Sequence, residues 1–444
     1  MQECPSFSLG WNIAHENFWK PLENTVNTLK LRASYGSLGN QNIDNWYQTY
    51  STVAYNSVAG AWLQGGKKTN ITAAPGLVSA ALGWEKVESY DVGLDWGAFN
   101  NRLTGSFDYY VRNTKDMVGP APELPALLGT AVPKTNNTDL RTTGWELQIG
   151  WRDHLENGLN YGVTFNVSDA QAKVTRYPNN PTGSLSSYIE NRKVGEIWGY
   201  ETIGIAKTND EMNQHLATLP NGGQSQLGDK WAAGDIMYKD LDGDGKISNG
   251  SNTLSDHGDL KVIGNNTPRY LFGLDLTASW KGFDFRAFMQ GVMKRDYNVN
   301  GSWGAREYLF GATDSGVWWA AGITGVQDYF RDSETWSVKN GYESENLNAY
   351  LPRPQYSEKN IHTQTRYLLN AAYLRMKNLQ IGYTLPQSLV SKAGLGNVRF
   401  FVSAENLFTI TDLPSQFDPE TIDTAYGNGY PLSRTFSFGV NVTL

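Results

Sequence analysis

The chain has little cysteine and histidine and no long apolar run, and each shortage excludes a class of protein. Cys4 is the only cysteine among 444 residues, so a disulfide framework is impossible. The five histidines are scattered and predict no zinc site. No apolar stretch reaches the roughly 18 residues of a transmembrane helix. A membrane-spanning β-strand remains open, because it needs only about 9–11 alternating residues.

Basic stripes and catalytic motifs are also missing. The net charge is −7 and no basic patch is present, so no nucleic-acid partner is expected. The sequence contains no nucleophile-elbow, zinc-protease, phosphate-loop or dinucleotide-binding motif. Asp91 and Asp95 could suit a glycosidase, but they share one face of a predicted strand, where solvated wall residues are the favoured interpretation. We therefore predict that the chain is not an enzyme.

Aromatic residues and glycine, in contrast, are abundant, with 15 Trp, 24 Tyr, 17 Phe and 46 Gly. This composition is typical of many strands joined by turns. The last stretch, TFSFGVNVTL, alternates apolar and polar side chains from Phe436 to Leu444. The same period of two predicts eleven strands, at FSLGWNI, LKLRASY, SYDVGLDWGA, LTGSFDYYVR, TGWELQIGWR, NYGVTFNVS, RYLFGLDLTASW, FDFRAFMQ, YLRMKNLQIGYTL, NVRFFVSAENLF and TFSFGVNVTL. A phase slip at Lys377–Asn378 indicates a bulge.

Short and long connections alternate along the chain. Short turns are predicted at Phe99–Arg102, Asp153–Gly158 and Lys281–Gly282, and longer ones with a helical turn at His15–Thr28 and Pro386–Gly396. Soluble domains rarely carry connections as long as those between these turns, whereas outer-membrane barrels carry them on the extracellular side. The predicted long loops are Leu38–Gly83, Asn113–Arg141, Asp169–Thr267, Gly291–Thr365 and Thr411–Pro431.

The two faces of the strands favour a membrane barrel over a soluble sandwich or propeller. The strands run about 10–14 residues, longer than the 5–6 of most globular sheets. Aromatic residues collect near the short turns, as at a membrane interface, at Trp11, Trp96, Trp151, Trp280 and Tyr383. The opposite face suits a watery lumen and carries Asp91, Asp95, Asp108, Arg112, Glu146, Arg152, Asp275, Arg286, Arg399 and Glu405. The predicted fold is therefore an all-β, antiparallel, up-and-down transmembrane β-barrel.

The stretch YKDLDGDGKISNG follows a calcium-loop pattern. Asp240, Asp242 and Asp244 take positions 1, 3 and 5, and the backbone carbonyl of Lys246 takes position 7. Position 12 holds Ser251 instead of a bidentate glutamate, so Asp256 or Asp259 would have to complete the shell. No flanking helix pair is visible, so an EF-hand is not expected. The all-oxygen set predicts a structural Ca²⁺ site, and the alternative is an acidic turn without metal.

Several motifs resemble the SusC/RagA family of TonB-dependent outer-membrane transporters. The resemblance runs in the family's order over nearly the whole chain, from Pro5 to Leu444. The segments that carry it are Leu29–Ile43, Trp84–Met117, Thr142–Trp151, Asn266–Gly291, Tyr373–Pro386 and Phe401–Asp412. TonB-dependent receptors for siderophores or cobalamin are the alternative within the same class. A soluble, extracellular, calcium-dependent glycan-binding β-protein is the alternative outside it.

The resemblance assigns residues 1–444 to the C-terminal half of the barrel, about 11 strands of roughly 22. Family members also have a signal peptide, an N-terminal extension, a TonB box and a plug domain, which this sequence does not show. We therefore expect a fragment, from a truncated gene, a split reading frame or a shortened chain, that does not transport alone. The resemblance implies outer-membrane lipid, a SusD-like lipoprotein, the TonB complex reached through the missing N-terminal part, and an oligosaccharide or peptide substrate.

Aromatic residues of the long loops are candidates for substrate contact, because flat rings stack on sugar faces and pack on peptide side chains. The alternative is that each ring packs one loop against another or against a partner. The candidates are Trp46, Trp62, Trp198, Trp303, Trp318, Trp319 and Tyr426, with Tyr47 and Tyr200 as further members of the set.

Overall fold

The structure is a computed structural model that describes residues 3–41, 50–53, 58–72, 75–79, 82–120, 127, 132–299, 328–355, 357–423, 430 and 432–444. Its main element is an antiparallel sheet of twelve strands, eleven of which follow one another in a single path. These eleven strands are β1 (Ser6–Asn12), β2 (Val26–Asn40), β5 (Glu85–Ala98), β6 (Leu103–Gly119), β7 (Thr135–His154), β8 (Asn160–Arg176), β13 (Arg269–Trp280), β14 (Phe283–Lys294), β17 (Tyr373–Thr384), β18 (Asn397–Glu405) and β20 (Thr435–Thr443). All eleven predicted strands are confirmed, and they are the eleven strands of this path.

The remaining strands form small ribbons and one addition to the sheet. The twelfth strand of the sheet, β19 (Thr409–Thr411), pairs with the beginning of β17. The ribbons are β3 (Val58–Gln64) with β4 (Lys67–Ile71), β9 (Glu196–Tyr200) with β12 (Leu260–Asn265), β10 (Thr202–Ile205) with β11 (Ile236–Tyr238), and β15 (Asp296–Asn298) with β16 (Leu368–Asn370).

Several strands are longer than the sequence predicts. Strand β7 has 20 residues, and β6 and β8 have 17 each. The predicted loop Asn113–Arg141 is therefore wrong at both ends, because Asn113 pairs with Arg141 and the ladder continues to Gly119 and Thr135. These extensions are mostly polar on both faces, so no alternation marks them in the sequence.

Two short turns, Phe99–Arg102 and Lys281–Gly282, have the predicted bounds, and the third occupies residues 155–159 because β7 continues to His154. At Lys281–Gly282 both residues have positive φ, 48° and 87°, as a two-residue turn of type I′ requires. The two longer connections contain helical turns, as predicted, at Ile13–His15, Asn17–Leu22, Gln387–Val390 and Ser391–Ala393. The bulge is also confirmed: Phe288 pairs with Asn378 and Met289 with Met376, which leaves Lys377 as the extra residue.

The sheet has one apolar and one polar face. On the apolar face, large side chains are open to the surroundings, for example Phe438, which is 80% exposed, and Leu9, which is 77% exposed. The five aromatic residues near the short turns belong to this face in the observed register. The ten charged residues predicted for the lumen share the other face. The predicted division of these residues between two faces of the sheet is therefore confirmed.

The long connections are themselves packed. A cluster of nine buried residues joins Tyr297 and Tyr367, from the connection between β14 and β17, to Phe417, from the connection that precedes β20. A second buried cluster contains Tyr200, Ile236, Tyr238 and Ile247. The hydrophobic core of the described chain thus lies among the long connections. These connections leave the sheet at the strand ends opposite the short turns, here called the long-loop edge.

The longest described helix, Asn209–Ala217, has nine residues. None of the described helices is long and apolar enough to cross a membrane.

Candidate functional site

Three carboxylates converge in the turn that begins at Asp240. One oxygen of each of Asp240, Asp242 and Asp244 lies within 4.8 Å of those of the other two. The turn closes because Asp240 Oδ1 accepts a hydrogen bond from Gly243 N at 2.6 Å and Asp240 Oδ2 accepts one from Gly245 N at 3.0 Å. Gly243 and Gly245 have φ of 77° and 80°, which favours glycine at both positions.

The donor set of this turn fits a hard cation. Among the residues that the structure describes, Asp242 Oδ1 and Asp244 Oδ1 each accept one hydrogen bond, from the backbone N–H of Asp244 and of Lys246, at 3.0 Å. Carboxylates at this separation suit Ca²⁺, which binds several oxygens at ~2.3–2.6 Å. One feature opposes the ion: Lys246 Nζ lies 3.1 Å from Asp244 Oδ2, and this carboxylate raises the pKa of Lys246. A cation would have to displace that ammonium.

The two residues considered for completing the shell are engaged elsewhere. Asp256 accepts hydrogen bonds from the backbone N–H and the hydroxyl of Ser251, and it is not among the converging oxygens. Asp259 is fully buried and accepts from Leu241 N at 2.6 Å and Ser248 N at 2.7 Å. Burial raises the pKa of Asp259, and the nearby acidic residues of the turn add to this. Asp259 therefore holds the two ends of the turn, at Leu241 and Ser248, through hydrogen bonds to their backbone N–H groups.

Further contacts attach the turn to the neighbouring segment. Asn221 N donates to Gly245 O at 2.8 Å, and Ile247 N donates to Gly223 O at 2.8 Å. The side chain of Ile247 is completely buried in the cluster with Tyr200 and Tyr238. The turn is therefore part of the packed loop region, with its acidic rim toward solvent.

A buried ionic cluster, which the sequence does not reveal, joins two long connections. Asp235 is fully buried and lies 2.8 Å from Lys359 Nζ, which is itself almost fully buried. Arg353 Nη2, at 3.1 Å, and Asn360 Nδ2, at 3.0 Å, also donate to this carboxylate. The partners lie about 120 positions apart in the chain, so no local pattern could have indicated them.

Ion pairs cross the polar face of the sheet. Arg32 bridges Asp95 and Asp108 at 2.8 Å each, and Arg286 lies 2.8 Å from Asp275. Arg32 and Asp108 lie over Gly93, where a Cβ atom would come within 2.3 Å of Asp108 Oδ1. These paired charges make the wall polar without a large net charge.

The bulge at Lys377 has a direct effect on this face. It brings Arg375 opposite Gln290, which shares the polar face with Arg286. Arg375 there lies 2.8 Å from Asp418 and 3.2 Å from Glu420, which holds the segment around Asp418 at the edge of the sheet. The phase slip is the only sequence signal of this contact.

The aromatic candidates are only partly within the described structure. Trp198 lies on β9, half-buried, with Arg192 over its ring at 5.3 Å and the His257 ring at 5.6 Å. Tyr200 is buried in the second cluster, which supports the packing alternative for that residue. Trp62 belongs to β3, but its side chain lies outside the described residues. The other candidates also lie outside the described residues: Trp46, Tyr47, Trp303, Trp318, Trp319 and Tyr426.

The curated proteins that this chain resembles are named TonB-dependent receptors. Over 99% of this chain, 32% of residues are identical to TonB-dependent receptor P3 of Formosa agariphila, and 25% to TonB-dependent receptor SusC of Bacteroides thetaiotaomicron. The chain covers 41% and 40% of these two relatives, so it spans less than half of their length. No family model matches the chain.

A solved structure shares the fold. The structure of the RagAB peptide transporter matches 99% of this chain with a TM-score of 0.69 and 23% sequence identity, and 43% of that chain is covered. The relatives are named as receptors and the solved structure as a transporter, which agrees with the prediction that the chain is not an enzyme.

Proposed function

Because the chain belongs to the SusC/RagA family of TonB-dependent receptors, we propose that it forms part of the wall and the loop region of an outer-membrane nutrient importer. The apolar face of the sheet is the observation that carries this proposal. Large side chains such as Phe7, Phe283 and Phe436 are more than half exposed there, which water disfavours and lipid accommodates. The aromatic residues near the short turns fit a membrane interface.

We infer the partner and the energy source from the family. A surface lipoprotein of the SusD type would cover the long-loop edge, and the TonB complex would act through another part of the receptor. The buried clusters around Tyr367 and Tyr238 support this role, because they make the long-loop edge a preformed surface. The substrate would be an oligosaccharide or an oligopeptide. The relatives include both SusC and a protein described as a peptide transporter.

Uptake by cells that express the receptor containing this chain tests the function. We expect a labelled oligosaccharide or oligopeptide to accumulate, and a protonophore to reduce its uptake to the level of cells lacking the receptor. Parallel measurements with both substrate classes separate the two alternatives. Uptake of both classes that does not depend on the receptor, or that a protonophore leaves unchanged, would contradict the proposal.

We further propose that Asp240, Asp242 and Asp244 hold a structural Ca²⁺, with the Lys246 carbonyl as a fourth ligand. The converging oxygens support this, and Asp259 keeps the turn closed beneath them. A bound ion would replace the ammonium of Lys246 and neutralise the acidic rim. Asp256 would join the shell only by leaving Ser251.

Isothermal titration of the receptor with Ca²⁺ is expected to show one site with a dissociation constant of about 0.1–1 mM, the range of extracellular modules. Asp242→Ala and Asp244→Ala should each abolish the heat, because each removes one of three converging carboxylates. Asp229→Ala, at an exposed aspartate outside the turn, is the matched control and should leave it unchanged. An unmodified receptor that gives no heat would refute the site.

A further inference from the structure

Three basic side chains lie side by side on the apolar face of the sheet, near its long-loop edge. Arg141 of β7 is directly opposite Lys173 of β8, and Lys173 is directly opposite Lys193, which precedes β9. Arg141 lies four residues from Trp145 on the same strand, so both side chains share the apolar face. Directly opposite residues are about 5 Å apart, which places these three residues, here called the basic row, within roughly 10 Å. They come from separate segments, so no basic run marks them in the sequence.

Like charges that face each other across two strands destabilise a sheet, so the basic row is unfavourable without an anion. The backbone hydrogen bonds next to Lys173 and Lys193, at 3.0 and 2.9 Å, flank this pair and do not join its two residues. Such a pair brings its side chains closer together than a hydrogen-bonded pair does. Arg141, Lys173 and Lys193 are all exposed, and among the described residues none of them forms an ion pair with a carboxylate.

The carboxylates nearest to the basic row are engaged by other cations. Glu88 lies in the same line of cross-strand neighbours, beyond Asn113, and it pairs with Lys86 at 2.8 Å and with Lys115 at 2.7 Å. These two lysines are also directly opposite each other and add positive charge to this face. Other engaged carboxylates near this edge are Asp169, held by Arg269, and Asp116 and Asp139, which share Arg176. The described residues thus give the basic row no counter-charge.

The basic row lies just beyond a second set of aromatic side chains on the apolar face. Tyr90 and Tyr109 are 49% and 46% exposed there, and the ring centroids of Trp145 and Tyr270 are 6.5 Å apart. Trp145 is about 13 Å from Arg141 along the strand. Tyrosine and tryptophan mark the depth of lipid headgroups, and long basic side chains extend from there toward water. In a membrane, the basic row therefore lies at the level of the lipid phosphates.

We infer that the basic row binds the phosphate groups of a phosphorylated glycolipid, of the lipid A type, in the leaflet at the long-loop edge. Arg141 Nε donates to Asn113 Oδ1 at 2.8 Å, which orients the guanidinium, and the planar terminal N–H groups suit a phosphate. Lys173 and Lys193 add two ammonium groups beside it. The acyl chains would lie on the apolar face, a contact that a soluble anion cannot make. This inference rests on the membrane position that the proposed function gives to that face, and it does not depend on transport.

The test measures lipid binding to the receptor containing this chain, purified in detergent, by native mass spectrometry. The probes are lipid A, lipid A without its phosphate groups, and inorganic phosphate. Lipid A should bind most tightly. The triple variant Arg141→Gln, Lys173→Gln and Lys193→Gln should weaken its binding about a hundredfold, roughly fivefold for each cation. The control makes the same change of charge at three exposed cations on the polar face, Lys30→Gln, Arg112→Gln and Arg152→Gln, and should leave lipid A binding unchanged.

A second measurement needs no substitution. Because the basic row is exposed, raising the ionic strength should weaken the binding of lipid A to the unmodified receptor, whereas lipid A without phosphate should be insensitive to salt. Circular dichroism of both triple variants verifies that the sheet is retained.

The outcomes separate the lipid site from the import function. Binding that depends on the phosphate groups and on the basic row supports the site, also in a receptor that imports nothing, a result that would refute import alone. The inference is wrong if lipid A binds equally well without its phosphate groups, or if the basic-row variant binds it as the unmodified receptor does. An equal loss in the polar-face control would show that only net charge matters and would overturn the site. Inorganic phosphate that binds as tightly as lipid A would assign the row to a soluble anion instead.

Discussion

Replacing Asp235 by Ala is expected to accelerate amide hydrogen exchange in β11 by about two to four orders of magnitude. The substitution leaves Lys359 buried, only 2% exposed, without its carboxylate. Removing one member of a buried ion pair costs roughly 3–5 kcal/mol, since the remaining charge is uncompensated. The loss should appear as local opening of the two connections that this cluster joins. Exchange of the Ile236, Met237 and Tyr238 amides in the purified receptor measures it.

Two variants make this test specific. Glu334→Ala removes an ion pair with Lys339 that is exposed on both sides, so its effect should stay below about 1 kcal/mol. The double variant Asp235→Leu with Lys359→Met removes both buried charges and should recover part of the protection. Unchanged exchange in Asp235→Ala would mean that the cluster does not hold the connections together.

Acidification should have the same effect on the unmodified protein. Burial raises the pKa of Asp235, but hydrogen bonds from Lys359 and Asn360 and the charge of Arg353 outweigh burial and hold it below its usual value. A carboxyl with a lowered folded-state pKa contributes stability above its unfolded pKa of about 3.9 and loses it as the pH falls through the folded value. The connections should therefore stay closed at neutral pH and open only in stronger acid.

Gly258→Ala is expected to destabilise the acidic turn by about 3 kcal/mol. Gly258 has φ of 51°, and a Cβ atom there would lie 2.5 Å from Ser248 O and 2.6 Å from Gly250 N. Both are backbone atoms, which no side-chain rotation can move away. The substitution therefore adds a steric clash to a strained conformation. Faster exchange of the Leu241 and Ser248 amides, which Asp259 holds, would report the loss.

Gly243→Ala is the matched control for this change. Gly243 also has positive φ, 77°, but nothing lies within 4 Å of the position of its Cβ atom. Only the conformational cost of about 1 kcal/mol should remain. Equal effects of the two substitutions would show that the close approach at Gly258 does not stabilise the turn.

The eleven strands that form the path of the main sheet could be predicted from the sequence, because each strand has one apolar and one polar face. Alternation is imposed on every residue, as in β20 from Phe436 to Val442, so the local pattern is sufficient. The bulge was detectable for the same reason, since Lys377 interrupts that alternation. The continuation of β6 and β7 could not be predicted, because the residues there are mostly polar on both faces and show no alternation.

The loop region required contacts that no local pattern encodes. The acidic turn was visible because its three carboxylates lie within five residues, whereas its support comes from Asp259, which lies outside that pattern. The cluster at Asp235 joins segments more than a hundred residues apart. Long-range packing of this kind decides most of the candidate site.

The number of wall strands also restricts how the sheet can become a closed wall. Eleven strands in one path are joined by ten antiparallel pairings, so β1 and β20 run in the same direction. Joining these two edges to each other, or β20 of one copy to β1 of a second copy with the same orientation, would create a parallel pair. A fully antiparallel ring therefore needs an odd number of further strands between them. A segment that adds an odd number of strands can therefore complete an antiparallel ring with this sheet, whereas one that adds an even number cannot.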